Sequence, residues 1–247
     1  MRQAVAAALI DLNRRFYSEF AAAFALTRRG LQPGVRRVLA SLPDEGRWLD
    51  LGCGSGALAR EWAARGRQSA YLGLDFSLEF IEEARGQAIS PGAAVEFRQA
   101  DLSAADWDAG LPEGGFRGVL AFATLHHLPD HELRRAVLRR VHRLLAPGGL
   151  FVHSEWQFTR SEKLLGRVQP WERIGLSAEE VETGDALLDW RFALPAQTAQ
   201  VGLRYVHAFE REELRELAHE CGFTLLEEFE SDGRGGNLAL YQLWLRG

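Results

Sequence analysis

The predicted fold is an α/β architecture: a Rossmann-like, seven-stranded, mostly parallel sheet with an antiparallel last strand, helices on both faces and an N-terminal helical cap. Three observations predict it. Between about residue 47 and residue 156, apolar strand-like runs alternate with helix-like runs, the order that builds a parallel sheet covered on both sides. A glycine-rich stretch, "LDLGCGSGALA" (49–59), separates the first such strand from a helix. The chain closes with "FTLLEEFE" and "LALYQLWL" joined by "SDGRGGN", a hairpin that reverses the final strand.

The elements follow in order. Val5, Leu9, Leu12, Phe16 and Phe20 recur at helical spacing, with Arg14, Arg15 and Glu19 off that stripe, so residues 3–24 form an amphipathic helix. "LQPGVRRVLASLPDEG" is a short helix begun at Pro33, then a turn. "RWLDLG" is a buried strand and "ALAREWAARG" a helix closed by Gly66. "AYLGLD" is the second strand, and "SLEFIEEARG" a helix with Ser77 at its start. "AVEFRQAD" is the third strand and "GVLAFA" the fourth. "PDHELRRAVLRRVHRLLAPGG" is a long helix and "GLFVHSEW" the fifth strand. Residues 157–206 show no strand–helix alternation, and their length marks a functional insertion or cap. "EREELRELAHECG" is the last helix, ahead of the hairpin. Residues 1–42 are thus a helical cap over the site, and 43–247 the main domain with 157–206 inserted on its substrate side.

The 247 residues, 47% of them hydrophobic, suffice for one such domain and its cap. A net charge of −5 gives no global attraction to nucleic acid or anionic membrane. The two cysteines, Cys53 and Cys221, build neither a disulfide framework nor a cysteine zinc site. With no signal-peptide pattern and no apolar run near the roughly 18 residues of a membrane span, a reduced, cytoplasmic setting is expected.

A glycine turn between strand and helix lets a ligand approach the backbone and aims the helix N-terminus at it. Gly52, Gly54 and Gly56 supply that turn, and with Ala57 they also satisfy the relaxed dinucleotide pattern. Charge separates the ligands. Asp50 at the loop mouth repels a pyrophosphate and suits an ammonium or sulfonium group. Asp75 ends the second strand, where a carboxylate accepts from ribose hydroxyls. Asp101 ends the third, within reach of an adenine amino group. Three successive strands ending in acids at the ligand-binding edge point to one shared site.

The motifs "LDLGCGSG", "LGLDFS", "QADLS" and "LAPGG" in this order resemble the signatures of class I S-adenosylmethionine-dependent methyltransferases, over about residues 47–156 and 209–245. The resemblance implies that Asp50, Gly52, Cys53, Gly54, Ser55 and Gly56 hold the methionine end of S-adenosylmethionine. It implies that Asp75 holds the ribose, Asp101 and Leu102 the adenine, and that Phe76 and Ala123 line the cofactor pocket. The implied reaction is in-line displacement at the sulfonium methyl, leaving S-adenosylhomocysteine. "FATLHHLPD" faces the methyl in that family, which makes His126 and His127 candidates to line the acceptor cavity or take a proton. His127 and His131 share metal-ligand spacing, but nothing nearby completes a metal site. Arg134, Arg135, Arg139, Arg140 and Arg143 read as a solvated helix face.

A narrower resemblance lies outside the core. "FYSEFAAAFALTRRGLQPGVRRVLASLP", with Tyr17, Phe24, Thr27, Arg28 and Pro33, is similar to the N-terminal segment of methyltransferases that esterify a carboxymethyl group on tRNA wobble uridine. "GDALLDW" and "RYVHAFEREEL" are similar to a later stretch of that family. These imply that Arg28 reaches the cofactor carboxylate and that Tyr17, Trp190, Arg204, Tyr205, His207 and Phe209 lie near the substrate mouth. An ionised carboxylate acceptor needs an arginine and no base, with Arg28, Arg191 and Arg204 as candidates. A small-molecule acceptor is the first expectation. A tRNA acceptor, with a small basic partner protein, is the alternative, and a membrane partner is not expected. An inactive cofactor-binding subunit and a nicotinamide oxidoreductase are the competing classes; the intact loop and acids oppose the first, and Asp50 the second.

Overall fold

The structure, a computed structural model, describes residues 1–27, 30–87, 94–192 and 200–247. In chain order it contains α1 (Gln3–Thr27), α2 (Pro33–Ser41), β1 (Arg47–Leu51), α3 (Ala57–Ala64), β2 (Ala70–Asp75), α4 (Leu78–Gly86) and β3 (Val95–Gln99). Next come β4 (Phe116–Phe122), α5 (His131–Leu144), β5 (Leu145–Trp156), α6 (Glu162–Leu165), β6 (Val168–Gln169), β7 (Asp185–Phe192) and β8 (Gln200–His207). Helix α7 (Arg211–Glu220) and strands β9 (Phe223–Ser231) and β10 (Ala239–Arg246) close the chain.

The main sheet has seven strands in the order β3-β2-β1-β4-β5-β10-β9. Strand β1 pairs in parallel with both β2 and β4, so the strand order reverses beside it. That reversal opens a crevice at the carboxyl ends of the strands, where such sheets bind ligands. Strand β10 runs antiparallel to β5 and β9, as the terminal hairpin dictates.

Alternation along the strands divides the core in two. One face buries Leu49, Val119 and Phe151 against Leu138 and Val141 of α5 and Leu214 and Leu217 of α7. The other buries Trp48, Leu120 and Val152 against α2, α3 and α4 through Leu39, Trp62 and Ile81. Ser77 caps α4 by accepting from the Phe80 N–H at 3.2 Å, as its position predicts.

Two expectations are corrected. Residues 157–206 are not irregular throughout: β6, β7 and β8 form a three-stranded antiparallel sheet. Its β7–β8 ladder runs over eight residue pairs, from Asp185–His207 to Phe192–Gln200. The alternation in "DALLDWRF" was obscured by its central apolar pair and by the charged residues beside it. The five arginines of α5 are not all on a solvated face either. Arg134 is 1% exposed and pairs with Glu182 at 2.6 Å and Glu213 at 3.6 Å.

The apolar stripe of α1 packs against this second sheet. Phe16 and Phe20 meet Trp190 of β7 at ring-centroid distances of 5.8 and 5.3 Å. Gly202 of β8 makes the approach feasible, since a Cβ there would stand 2.5 Å from the Phe20 ring and 2.7 Å from that of Phe16. Asn13 completes the seam by accepting from the Tyr205 N–H at 2.8 Å and donating to the Tyr205 carbonyl at 3.1 Å.

Candidate active site

A cavity of about 670 Å³ runs along the carboxyl edge of the sheet beneath α1. Its first end is the glycine loop. Gly52 and Cys53 donate to the Leu74 carbonyl at 2.8 and 2.9 Å, which ties the loop to β2. Gly54 has φ of +52°, and a Cβ built there meets nothing within 4 Å, so this backbone is open to the cavity. Gly56, in the left-handed region at φ 79°, is the N-cap of α3.

Asp50 is 3% exposed and accepts from the Tyr71 hydroxyl. Burial pushes its carboxyl up to about 7, against the lowering effect of Tyr71, and neighbouring Asp75 adds to the rise. Asp75 accepts from the Gly54 N–H and the Ser77 N–H, each at 2.9 Å. Burial again dominates and lifts it to about 6. Two buried carboxylates beside an open loop favour a ligand that brings positive charge to them. The lining residues therefore fit a ligand with a sulfonium and an ammonium group, and the aspartate at the end of β2 fits a ribose.

Asp101 sits at the third strand end. Its Oδ1 accepts from the Ser103 N–H and hydroxyl at 2.8 and 2.6 Å. Its Oδ2 accepts from Nε and Nη2 of Arg14, at 2.9 and 2.5 Å. Burial raises this carboxyl, yet the Ser103 and Arg14 donors outweigh it and hold it below its usual value. Arg14 belongs to α1, so the cap is latched onto the strand end, a contact that no local motif announces. Ser55, Phe76, Leu102 and Ala123 line the same cavity. Ala123 takes a positive φ of 54°, held there by its N–H on the Ser154 carbonyl at 2.9 Å. Arg28 lies outside the described residues.

The second end of the cavity is lined by Tyr17, His126, His127, Trp156 and Arg204. The Tyr17 hydroxyl is 2.8 Å from Nε2 of His127 and accepts from Nη1 of Arg204 at 3.4 Å. Nδ1 of His127 lies 3.3 Å from the Tyr205 carbonyl. The buried Arg204 guanidinium lies over Trp156 at 4.9 Å and Phe16 at 5.5 Å, with a cation–π contribution from each. His126 has Nδ1 3.1 Å from Oε2 of Glu155, a residue buried behind it.

Four residues expected at the substrate mouth stand elsewhere. Trp190, Tyr205, His207 and Phe209 are not among the cavity's described lining residues, and Phe209 packs into the core. Trp190 packs on α1, and the Tyr205 side chain turns the other way to donate to Asp185 at 2.7 Å. His207 is 2.7 Å from Asp185 through Nδ1 and 3.0 Å from Glu213 through Nε2. Burial lowers its pKa, but the two carboxylates outweigh this and raise it overall. Glu182, Asp185 and His207 bring ligand atoms within 4.8 Å of one another. Arg134 already places a cation on Glu182 there. Glu155 is the opposite case, absent from the motif-based expectations. Its signal is the strand "FVHSEW", where His153 and Glu155 fall on one face of a buried strand.

The chain is similar to known methyltransferases. The family model described as a methyltransferase domain matches residues 23–228. A methyltransferase of Encephalitozoon cuniculi is 27% identical over 217 residues, covering 86% of this chain and 87% of that protein. The ubiquinone biosynthesis O-methyltransferase of Pseudomonas aeruginosa is 36% identical over 101 residues, 41% of this chain and 40% of that enzyme. Among solved structures, an S-adenosylmethionine-dependent methyltransferase of Methanosarcina mazei superposes with a TM-score of 0.63 at 23% identity, covering 88% of this chain and 98% of its own. A Haloferax volcanii methyltransferase solved in complex with the Trm112 methyltransferase activator gives 0.60 at 17% identity, covering 94% and 96%. At these identities the structural likeness shows the fold.

Proposed function

The chain belongs to the class I S-adenosylmethionine-dependent methyltransferase family, and from that premise we propose that it methylates a small, partly aromatic acceptor in the cavity end lined by Tyr17, His126, His127, Trp156 and Arg204. One observation carries this proposal. A single cavity joins the glycine loop to that cluster, and α1 covers it. A roofed pocket with aromatic and cationic walls suits a small molecule better than a polymer. Among the described residues no helix is long and apolar enough to cross a membrane.

The cofactor, when bound, supplies an electrophilic methyl activated by its own sulfonium charge. The chain's residues do the rest. Gly52, Cys53, Gly54 and Ser55 present backbone, with Asp50 behind them, to the methionine end, and Gly56 starts the helix that follows. Asp75 takes the ribose hydroxyls, while Leu102, Phe76 and Ala123 wall the adenosine. Asp101 shares its carboxylate between Arg14 and the adenine end. Helix α1, with the rest of residues 1–42, acts as the cap, and the insertion at 157–206 contributes to the acceptor wall. Together they exclude water from the reacting atoms.

A second reading has one observation in its favour. Arg204 puts a positive charge in the cavity wall, which suits an acceptor carboxylate, the chemistry of the tRNA wobble-uridine enzymes. A small partner protein belongs to this reading, and the Haloferax neighbour was solved with an activator. Transfer of labelled methyl to a metabolite extract and to total tRNA, with and without such a partner, separates the two. Label in a small molecule is the expected result, and label confined to tRNA overturns it.

A further inference from the structure

The cavity extends beyond the two ends described above. Its lining follows the carboxyl edge of the sheet across the strands β3-β2-β1-β4-β5-β10, in that order. At about 4.8 Å between neighbouring strands, that course is about 24 Å long. The proposed cofactor residues occupy β3 to β4, about 14 Å of it. The remaining stretch, about 10 Å from β4 to β10, is an arm between the start of α2 and the β9–β10 hairpin.

Apolar side chains dominate the arm: Leu31, Val35, Phe122, Leu164 and Leu238. Ser154 and Tyr241, paired across the β5–β10 ladder, line it as well. The arm's one charged group among the described lining residues is Asp232. It is 7% exposed and lies in the turn "SDGRGGN" with a left-handed φ of 70°. Its Oδ1 accepts from the Gly34 N–H at 2.9 Å, and its Oδ2 from the Tyr241 hydroxyl at 2.6 Å. Gly34 lets α2 seat on this group, since a Cβ there would stand 2.3 Å from the Tyr241 ring.

Both carboxyl oxygens of Asp232 act as acceptors, the arrangement of a carboxylate. Both donors are neutral. One is a backbone N–H, and burial pushes the Tyr241 hydroxyl upward, with the Asp232 bond adding to the rise. Among the described residues no arginine, lysine or histidine pairs with Asp232. Tying the hairpin to α2 needs no charge, because an asparagine would accept from Gly34 equally well. A negative charge held in an apolar cavity wall suits a ligand that brings the opposite one.

Resting on the methyltransferase reading above, we propose that the acceptor is an amine on an apolar body, its ammonium held by Asp232 and its body filling the arm between α2 and the β9–β10 hairpin. The methyl-receiving atom is then at the far end of the acceptor, over β4, where the arm meets the cofactor residues. An arm of about 10 Å takes one aromatic ring with a short aminoalkyl chain. A carboxylate at the same end would meet Asp232 as a like charge, and no described cation of the arm offsets that repulsion. Asp232 therefore determines which acceptor is bound and takes no part in making or breaking bonds.

The test uses three probes of similar shape and different charge: 2-phenylethylamine, 2-phenylethanol and 3-phenylpropanoate. Each is titrated into the full chain saturated with S-adenosylhomocysteine, and backbone nitrogen-15 NMR follows binding. The amine should bind roughly tenfold more tightly than the carboxylate, with the alcohol between them, and should shift the Gly34 and Gly233 amides. Asp232→Asn should weaken the amine roughly tenfold and remove the ordering, while S-adenosylhomocysteine affinity by calorimetry stays within about threefold of wild type. Should that variant fail to fold, the wild-type ordering decides. An amine that does not bind, that binds no more tightly than the carboxylate, or that leaves those amides unshifted overturns the proposal. A large loss of S-adenosylhomocysteine affinity in Asp232→Asn would assign the carboxylate to the cofactor's own ammonium and overturn it too. Failure of the wild type to bind S-adenosylhomocysteine would defeat the methyltransferase reading itself, a failure distinct from any probe result.

Discussion

The two ends of the cavity are built in opposite ways. The proposed cofactor end is local: the glycine loop and Asp75 are held by backbone hydrogen bonds, and Asp50 by the Tyr71 hydroxyl of the neighbouring strand. The acceptor end is assembled from distant segments, with Tyr17 on α1, His126 and His127 after β4, and Arg204 on β8. Where backbone supplies the donors, a short motif carries the whole site. Where side chains from three elements meet, each position is free to change with the acceptor.

Asp75→Ala should show the contrast most strongly. Losing a buried carboxylate with two backbone donors is expected to weaken S-adenosylhomocysteine binding on the order of 100-fold. Isothermal calorimetry measures it, and unchanged affinity would misplace the ribose.

Acidity probes the same end. The folded values of about 7 for Asp50 and about 6 for Asp75 exceed the unfolded aspartate value near 3.9. The folded chain therefore binds more protons than the unfolded chain in this window. The stability from these groups is full below about pH 4 and is lost as pH rises through about 6 and about 7. Binding of the sulfonium cofactor has the opposite sign, since it favours both anions. Its affinity should rise by up to about tenfold per pH unit for each carboxylate between about pH 5 and 7, with proton release seen as a buffer-dependent enthalpy. A flat affinity across that range would remove Asp50 from the cofactor end.

This division also decides what was legible in the sequence. The main sheet and its reversed last strand follow from alternation and the Gly-rich turn, because those signals are short-range. The acids Asp50, Asp75 and Asp101 were legible at strand ends for the same reason. The β7–β8 ladder was hidden, since its pairing joins residues as far apart as Asp185 and His207 and its charged residues blur the period of two. The Arg14 latch on Asp101 spans 87 positions, and the Glu155 contact with His126 spans 29; no periodicity encodes either. Trp190, Tyr205 and His207 belong to the right sheet but turn their side chains into its packing.

The acceptor end depends on how α1 is seated. Gly202→Val drives a side chain into Phe16 and Phe20, and a loss of about 1–3 kcal/mol is expected, read as a lower Tm. An unchanged Tm would mean that α1 does not dock on β8 as described. Arg14→Ala should act least. Its ion pair with Asp101 is partly exposed, 46% and 29% at the two side chains, so about 0.2–1 kcal/mol is at stake. Stopped-flow dissociation of S-adenosylhomocysteine should accelerate by roughly twofold to fivefold, and an unchanged rate would show that the latch does not retain the cofactor.

Tyr17→Phe tests the separation of the two ends most directly, because it deletes one hydroxyl that links His127 and Arg204. The measurement is S-adenosylhomocysteine affinity by calorimetry, beside Asp75→Ala. The account predicts an affinity within about threefold of wild type for Tyr17→Phe, while labelled methyl transfer to the acceptor falls by about tenfold or more. An affinity loss in Tyr17→Phe equal to that of Asp75→Ala would contradict it.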